Sequence, residues 1–266
     1  MRKIILIAAV VSLFGANSRM PAQSRARLLG KVGAGEGPAW DGKGHLYFTN
    51  EHRISILDIA GKVRIFREPS NDANGLLFDS GGRLMICEAG MRRVTRIESD
   101  GRTVVLADRY KGMRFNSPND LTVDSKGRIY FSDPRYGDRA GMEIRDEGGN
   151  LVEGVYRIDA PQKVSRVLGR EVDRANGVLV SPDDKYLYVA DNDNNNVGAP
   201  RKLWRFALRP DGTVAPGSRT LIFDWKQGRG PDGVKMDRDG RLYVAAGLNK
   251  PNLPYETADE FKGIGV

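Results

Sequence analysis

Five stretches of this chain repeat one pattern, and that repeat restricts the fold more than any other feature. They are "EGPAWDGKGHLYFTN" from Glu36, "NGLLFDSGGRLMICEAG" from Asn74, "NDLTVDSKGRIYFSD" from Asn119, "NGVLVSPDDKYLYVAD" from Asn176 and "DGVKMDRDGRLYVAAG" from Asp232, at spacings of 38, 45, 57 and 56 residues. Each opens on a polar residue followed by Gly or Asp. An alternating strand, a turn and a second, aromatic-rich strand then follow. The links between the two strands (Asp-Gly, Gly-Gly, Lys-Gly, Asp-Asp) carry hairpin-turn chemistry. Third strands follow most of these pairs, in "ISILDIAGK", "VTRIESDGR", "VYRIDAPQK" and "LWRFALRPDGT", and fourth strands follow three of them, in "VRIFRE", "TVVLAD" and "VSRVLG". Repeats of roughly 40–50 residues with four antiparallel strands are what a β-propeller blade requires. An all-β propeller of four-stranded blades is therefore predicted. A content of 32 Gly and 13 Pro suits many short strands better than long helices.

A propeller turns the repeat into a functional argument. The first strand of each blade is innermost, so equivalent positions lie on one ring about the axis. That ring carries Glu36, Asn74, Asn119, Asn176 and Asp232. Any one of them alone reads as an ordinary turn residue, since Asn-Gly and Asp-Gly are routine there. All five, however, offer a carboxylate or amide oxygen, and none is His or Cys. Converging oxygen donors describe a hard-cation site, so Ca²⁺ is favoured over Zn²⁺.

Other chemistries find little support. The two histidines, His45 and His52, have no Cys near them in sequence. No G-x-S-x-G elbow is present, and "GKVGAGEGPAW" lacks the Lys-Ser/Thr of a phosphate loop. "DNDNNN" from Asp191 has Asn196 where an EF-hand requires Gly and Lys202 where it requires Glu, so it reads as a flexible loop at one end of the propeller. The lone Cys87 excludes an intramolecular disulfide and alternates with apolar residues as a buried thiol. The net charge of +8 is spread without a basic run or stacking-aromatic motif, so no nucleic-acid partner is expected. Residues 1–22 read as a secretory signal: Arg2 and Lys3, an 11-residue apolar run from Ile4 to Phe14, then small residues around Ala16–Ser18. That run is short of the roughly 20 residues that span a bilayer. A secreted or periplasmic location without stable membrane insertion is expected, the mature domain being 23–266.

The motifs "GEGPAWD", "MRFNSPNDLTVDSKGRIYFSDPRYG", "RANGVLVSPDDKYLYVAD" and "GPDGVKMDRDGRLYVAAGLNKPN" resemble, in the same order, those of the senescence marker protein/gluconolactonase (regucalcin-like) family. The resemblance runs from about Gly35 to the C-terminus. It implies a six-bladed propeller with an axial divalent metal that opens sugar-type lactones. It further implies that Glu36, Asn176 and Asp232 are metal ligands and that Asp232 is the general base. Asn119 matches a position that binds metal in some members and substrate or a metal-bound water in others. Arg114 resembles an arginine that contacts the substrate, with Ser117 and Pro118 set between it and the Asn-Asp pair. Asn74 joins the substrate-binding set on the ring argument alone. The implied mechanism polarises the lactone carbonyl with the metal and attacks it with a water deprotonated by Asp232. Mg²⁺, Mn²⁺ and Zn²⁺ are the alternatives to Ca²⁺. A phosphotriesterase or ester hydrolase on the same metal site, and a non-enzymatic Ca²⁺-bearing binding propeller, are the competing functions. The repeats supply about five blades against the implied six, which leads to the expectation of a C-terminally truncated propeller.

Overall fold

The turn between the first and second strands of a repeat is closed by an aspartate acting on its own backbone. Asp124 Oδ1 accepts from the backbone N–H groups of Lys126 and Arg128 at 3.0 and 2.9 Å, and Asp124 Oδ2 accepts from Arg128 Nε at 2.5 Å. Asp79 and Asp237 repeat the arrangement with Arg83 and Arg241, and Asp41 does so with His45, whose ring lies 2.7 Å away. The last position of these turns takes up a left-handed backbone, filled by Gly44, Gly82, Gly127 and Gly240, and by Asp184 where the fourth repeat substitutes "SPDDK". One short D-x-x-G-R device thus sets the first hairpin of three repeats, and the other two use close variants of it.

A computed structural model describes residues 32–50, 52–246 and 251–257. The expected signal over 1–22 lies outside them. No helix occurs among the described residues. The first sheet comprises β1 (Glu36–Trp40), β2 (His45–Asn50), β3 (Arg53–Asp58) and β4 (Val63–Arg67). The second comprises β5 (Ala73–Phe78), β6 (Leu84–Glu88), β7 (Arg93–Ile97) and β8 (Thr103–Ala107). A two-stranded ribbon follows, β9 (Arg109–Tyr110) with β10 (Met113–Arg114). The third sheet comprises β11 (Leu121–Val123), β12 (Ile129–Ser132), β13 (Val155–Ala160) and β14 (Lys163–Leu168). The fourth comprises β15 (Ala175–Val180), β16 (Tyr186–Asn192), β17 (Arg201–Ala207) and β18 (Thr220–Asp224). A fifth unit contributes β19 (Pro231–Met236) and β20 (Leu242–Ala246). Every sheet is antiparallel and meanders in sequence order. The all-β propeller is observed, as four complete blades and a two-stranded unit.

The core lies in the wedges between blades. One cluster joins the second and third blades through Met85, Cys87, Leu121, Phe131 and Tyr156, and another joins the third and fourth through Tyr130, Val155, Val178 and Val189. Each fully buried side chain of this size contributes roughly 1.5–3 kcal/mol. Cys87 is buried there as a free thiol, as its alternation with apolar residues predicted.

Inner strands of successive blades touch: β1 meets β5, β5 meets β11, β11 meets β15 and β15 meets β19. Glycine permits this approach. At Gly177 a side-chain carbon would overlap the carbonyl oxygen of Asp232, and at Gly37, which has φ +55°, it would overlap that of Asn74. Such overlaps explain the glycine after the polar residue in three repeats, at Gly37, Gly75 and Gly177; Gly233 has open space where a side chain would begin.

Candidate functional site

Bulges hold the ring residues in place. Ala73 pairs with Glu88 and Leu76 with Ile86, so Asn74 and Gly75 together face the single residue Cys87. Ala175 and Val178 bracket Asn176–Gly177 in the same way, and Pro231 and Val234 bracket Asp232–Gly233. In β1 the bulge falls just after Glu36, between Glu36 and Ala39. A bulge lifts residues out of the ladder and re-aims their side chains. The third blade differs: Asn119 and Asp120 precede the short β11. There the Asn119 N–H donates to the Ser132 carbonyl at 3.0 Å, and its carbonyl accepts from Gly75 N–H of the neighbouring blade at 2.7 Å.

The structure brings Glu36, Asn74, Asn119, Asn176 and Asp232 to the openings of five successive inner strands. Glu36 and Asp232 belong to the first and last of these strands, yet each senses charge across the axis. Burial, followed by the negative charges of Asp232 and Asp120, raises the Glu36 pKa to about 8. The Glu36 side chain still reaches solvent, which screens part of this repulsion. Burial and the charge of Asp120 raise Asp232 to about 6, while a hydrogen bond from the Asn176 side chain opposes the shift. Asn176 is 5% exposed, and its Nδ2 donates to Tyr136 Oη at 2.8 Å. Its Oδ1 is buried and has no hydrogen-bond partner among the described residues.

Two functional candidates escaped the sequence reading. Asp120 is buried; its Oδ2 accepts from Val178 N–H at 3.2 Å, and its Oδ1 lies 3.7 Å from Lys235 Nζ. Its signal was legible: it is the one repeat position where Asp replaces the glycine after the ring residue. Tyr136, in the 133–154 connection, had no such signal. Burial and the Asp232 charge push its phenol well above 10, so it is a neutral hydrogen-bonding group.

Arg114 lies on β10, in the connection leading to the same end of the third blade. It is exposed, with its Nε 2.5 Å from Glu143 Oε1 and its backbone N–H 2.8 Å from Glu143 Oε2. The "DNDNNN" segment departs from the expected flexible loop in its first half. Asp191 and Asn192 belong to β16 and are buried with Asp193; Asp191 accepts from Arg174 N–H at 2.8 Å and Trp204 Nε1 at 3.1 Å. Buried carboxylates need such donors, and Arg174, just before β15, and Trp204, on β17, supply them from within the same blade.

A divalent cation fits this donor set on two observations. Burial and the charges of neighbouring carboxylates raise the pKa of Glu36 and of Asp232, and the buried amide oxygen of Asn176 has no hydrogen-bond partner among the described residues. Glu36 and Asp232 would contribute charged oxygens, and Asn176 and Asn119 neutral ones. No cluster of three or more His, Cys, Asp or Glu side chains poised for a metal occurs among the described residues. A cation held here would therefore have to draw on the amide oxygens as well as the carboxylates.

Residues 34–253 match the family model described as the SMP-30/Gluconolactonase/LRE-like region. The chain belongs to this family. A gluconolactonase of Zymomonas mobilis is 30% identical over 236 residues, covering 79% of this chain and 64% of that protein. The lactonase drp35 of Staphylococcus aureus is 27% identical over 221 residues, covering 79% and 62%. The chain thus spans just under two thirds of the length of these relatives. Among solved structures, a gluconolactonase from Xanthomonas campestris superposes with a TM-score of 0.67 at 31% identity, covering 80% of this chain and 70% of that one. Regucalcin from Agrobacterium tumefaciens, described as a calcium-binding protein, superposes at 0.60 with 19% identity, covering 81% and 68%, and shares the fold.

Proposed function

We propose that this SMP-30/gluconolactonase/LRE-like propeller is a metal-dependent hydrolase that opens a sugar-type lactone at the Glu36–Asn119–Asn176–Asp232 ring. The observation that carries the reading is the axial group itself. Glu36 and Asp232 open the first and last inner strands, each within the field of a neighbouring carboxylate, and the buried oxygen of Asn176 on the strand next to Asp232 has no hydrogen-bond partner among the described residues. The lactonases among the relatives support the reaction class. When bound, a divalent cation supplies the positive charge that polarises the lactone carbonyl, and an oxygen-only donor set favours Ca²⁺.

The chain's own residues do the rest. Asp232 is the base that accepts a proton from the attacking water. The water oxygen bonds to the carbonyl carbon, the ring C–O bond breaks, and the proton passes from Asp232 to the departing ring oxygen. The product is the open hydroxy acid. General-base help of this kind is worth about 10²- to 10⁴-fold. In this reading Asn74 and Arg114 hydrogen-bond substrate hydroxyls, Arg114 being ion-paired with Glu143 at 2.5 Å.

Hydrolysis of glucono-δ-lactone followed by pH-stat tests the proposal, with the protein as purified, after EDTA, and after Ca²⁺ is restored. Activity lost to EDTA and recovered with Ca²⁺ is expected, with Asp232→Asn slower by at least about 10²-fold. An Asp232→Asn protein that turns over at the wild-type rate would refute the assignment of the base. Metal-dependent turnover of a phosphotriester, with no lactone opened, would instead favour the phosphotriesterase reading.

A further inference from the structure

The amide of Asn176 presents a directional problem. Its oxygen can serve a cation, whereas its NH₂ end cannot, and the two ends occupy nearly the same space. Something must decide which end faces the site. Tyr136 is built to do so. Its hydroxyl donates to the Asn192 carbonyl at 3.3 Å and accepts from Asn176 Nδ2 at 2.8 Å. With its single hydrogen committed to Asn192, the phenol oxygen is left as an acceptor, and only the nitrogen end of the amide satisfies it. The Asn176 side chain also stabilises the Asp232 carboxylate electrostatically. A carboxylate turned toward a cation would no longer hold the amide, which leaves Tyr136 as the restraint.

The tyrosine itself is firmly placed. It comes from the connection between β12 and β13 of the third blade, while both its partners belong to the fourth. The Arg174 guanidinium lies 5.3 Å from its ring centroid. Arg174 is 1% exposed and ion-paired with Glu153 at 2.9 Å and Asp193 at 3.0 Å. Glu153 in turn accepts from the backbone N–H of Arg135, the residue before Tyr136, at 2.7 Å. The hydroxyl is therefore fixed from two sides, independently of Asn176.

We infer that Tyr136 is a positioning residue that orients the Asn176 amide with its nitrogen held and its oxygen offered as a cation ligand. The inference rests on the axial site being a cation site, as proposed above. Outer partners of this kind typically alter metal affinity by 10–100-fold.

Calorimetric titration of the full chain with Ca²⁺, and separately with Mn²⁺, tests it. Tyr136→Phe keeps the stacked ring and removes the hydroxyl, and is expected to weaken binding about 10-fold. Asn176→Asp supplies two equivalent oxygens and needs no orientation. In that background Tyr136→Phe is expected to change affinity by less than about twofold, as the double-mutant cycle requires. Melting curves in EDTA establish that each variant is folded. Wild-type affinity in Tyr136→Phe overturns the inference alone. An equal loss in both backgrounds does the same, because it assigns Tyr136 a merely structural role. Failure of the wild type to bind either ion overturns the cation reading of the ring and this inference with it.

Discussion

Replacing Asp232 by Asn is expected to stabilise the metal-free protein at neutral pH, the opposite of what removing a buried hydrogen-bonding carboxylate usually does. In the folded chain burial and the charge of Asp120 raise Asp232 to about 6, against about 3.9 in an unfolded chain. The folded state thus resists ionisation. Below about pH 4 the carboxyl is neutral in both states and imposes no penalty. As pH rises from about 4 to about 6, the unfolded chain releases its proton first and folding stability falls, reaching its full loss above the folded pKa. A tenfold change in ionisation is worth ~1.4 kcal/mol, which sets an upper bound near 3 kcal/mol for this shift. Asp232 is only partly buried, and solvent screening reduces the working figure to about 1–2 kcal/mol. For a chain of this size that corresponds to a Tm about 3–6 °C higher for Asp232→Asn in EDTA at pH 8. Glu36, raised to about 8, extends the loss in the same direction towards pH 8. Thermal melts of wild type and Asp232→Asn in EDTA, between pH 4 and pH 8.5, provide the assay. The two curves should meet near pH 4 and separate above it. Added Ca²⁺ should reverse their order, since a ligand at 100 times its Kd contributes about 2.7 kcal/mol to the protein that binds it. An Asp232→Asn protein less stable than wild type at pH 8 in EDTA would show that hydrogen bonding outweighs repulsion at this position and would refute the reasoning.

Two further predictions concern the repeated turn. Gly127 has φ +78° with open space where a side chain would begin, so Gly127→Ala isolates backbone strain and is expected to cost about 1–2 kcal/mol by chemical denaturation. Asp124→Ala removes the acceptor for two backbone N–H groups and the Arg128 guanidinium, and should cost about 2 kcal/mol in the same assay. A loss below a few tenths of a kcal/mol in either variant would mean that the turn closes without its Asp and Gly.

The hairpins and the ring were legible because both are local or repetitive. Asp79, Asp124 and Asp237 act on backbone groups two and four residues away, so their role is written within five letters. Alternation of apolar residues marks which strand faces lie in the wedges, and the repeat places Glu36, Asn74, Asn119, Asn176 and Asp232 at equivalent openings. Asp120 was equally visible as the exception to glycine, but reading it required knowing that a neighbouring blade approaches there. The first half of "DNDNNN" was misread as loop because its acids look solvated in sequence. In the structure Arg174 and Trp204 meet them.

The sequence by itself determined the blade, the Asp-closed turns, the glycines at blade contacts and the oxygen chemistry of the ring. Each depends on neighbours within a few residues or on a pattern repeated every 38 to 57. Tertiary structure alone decided how those oxygens are charged and oriented. Coulomb interactions between Glu36, Asp120 and Asp232 depend on distances between segments more than 80 residues apart, and the polarity of the Asn176 amide depends on a tyrosine hydroxyl 40 residues earlier. No local rule encodes either, because both arise only when separate blades bring their inner strands to a common axis.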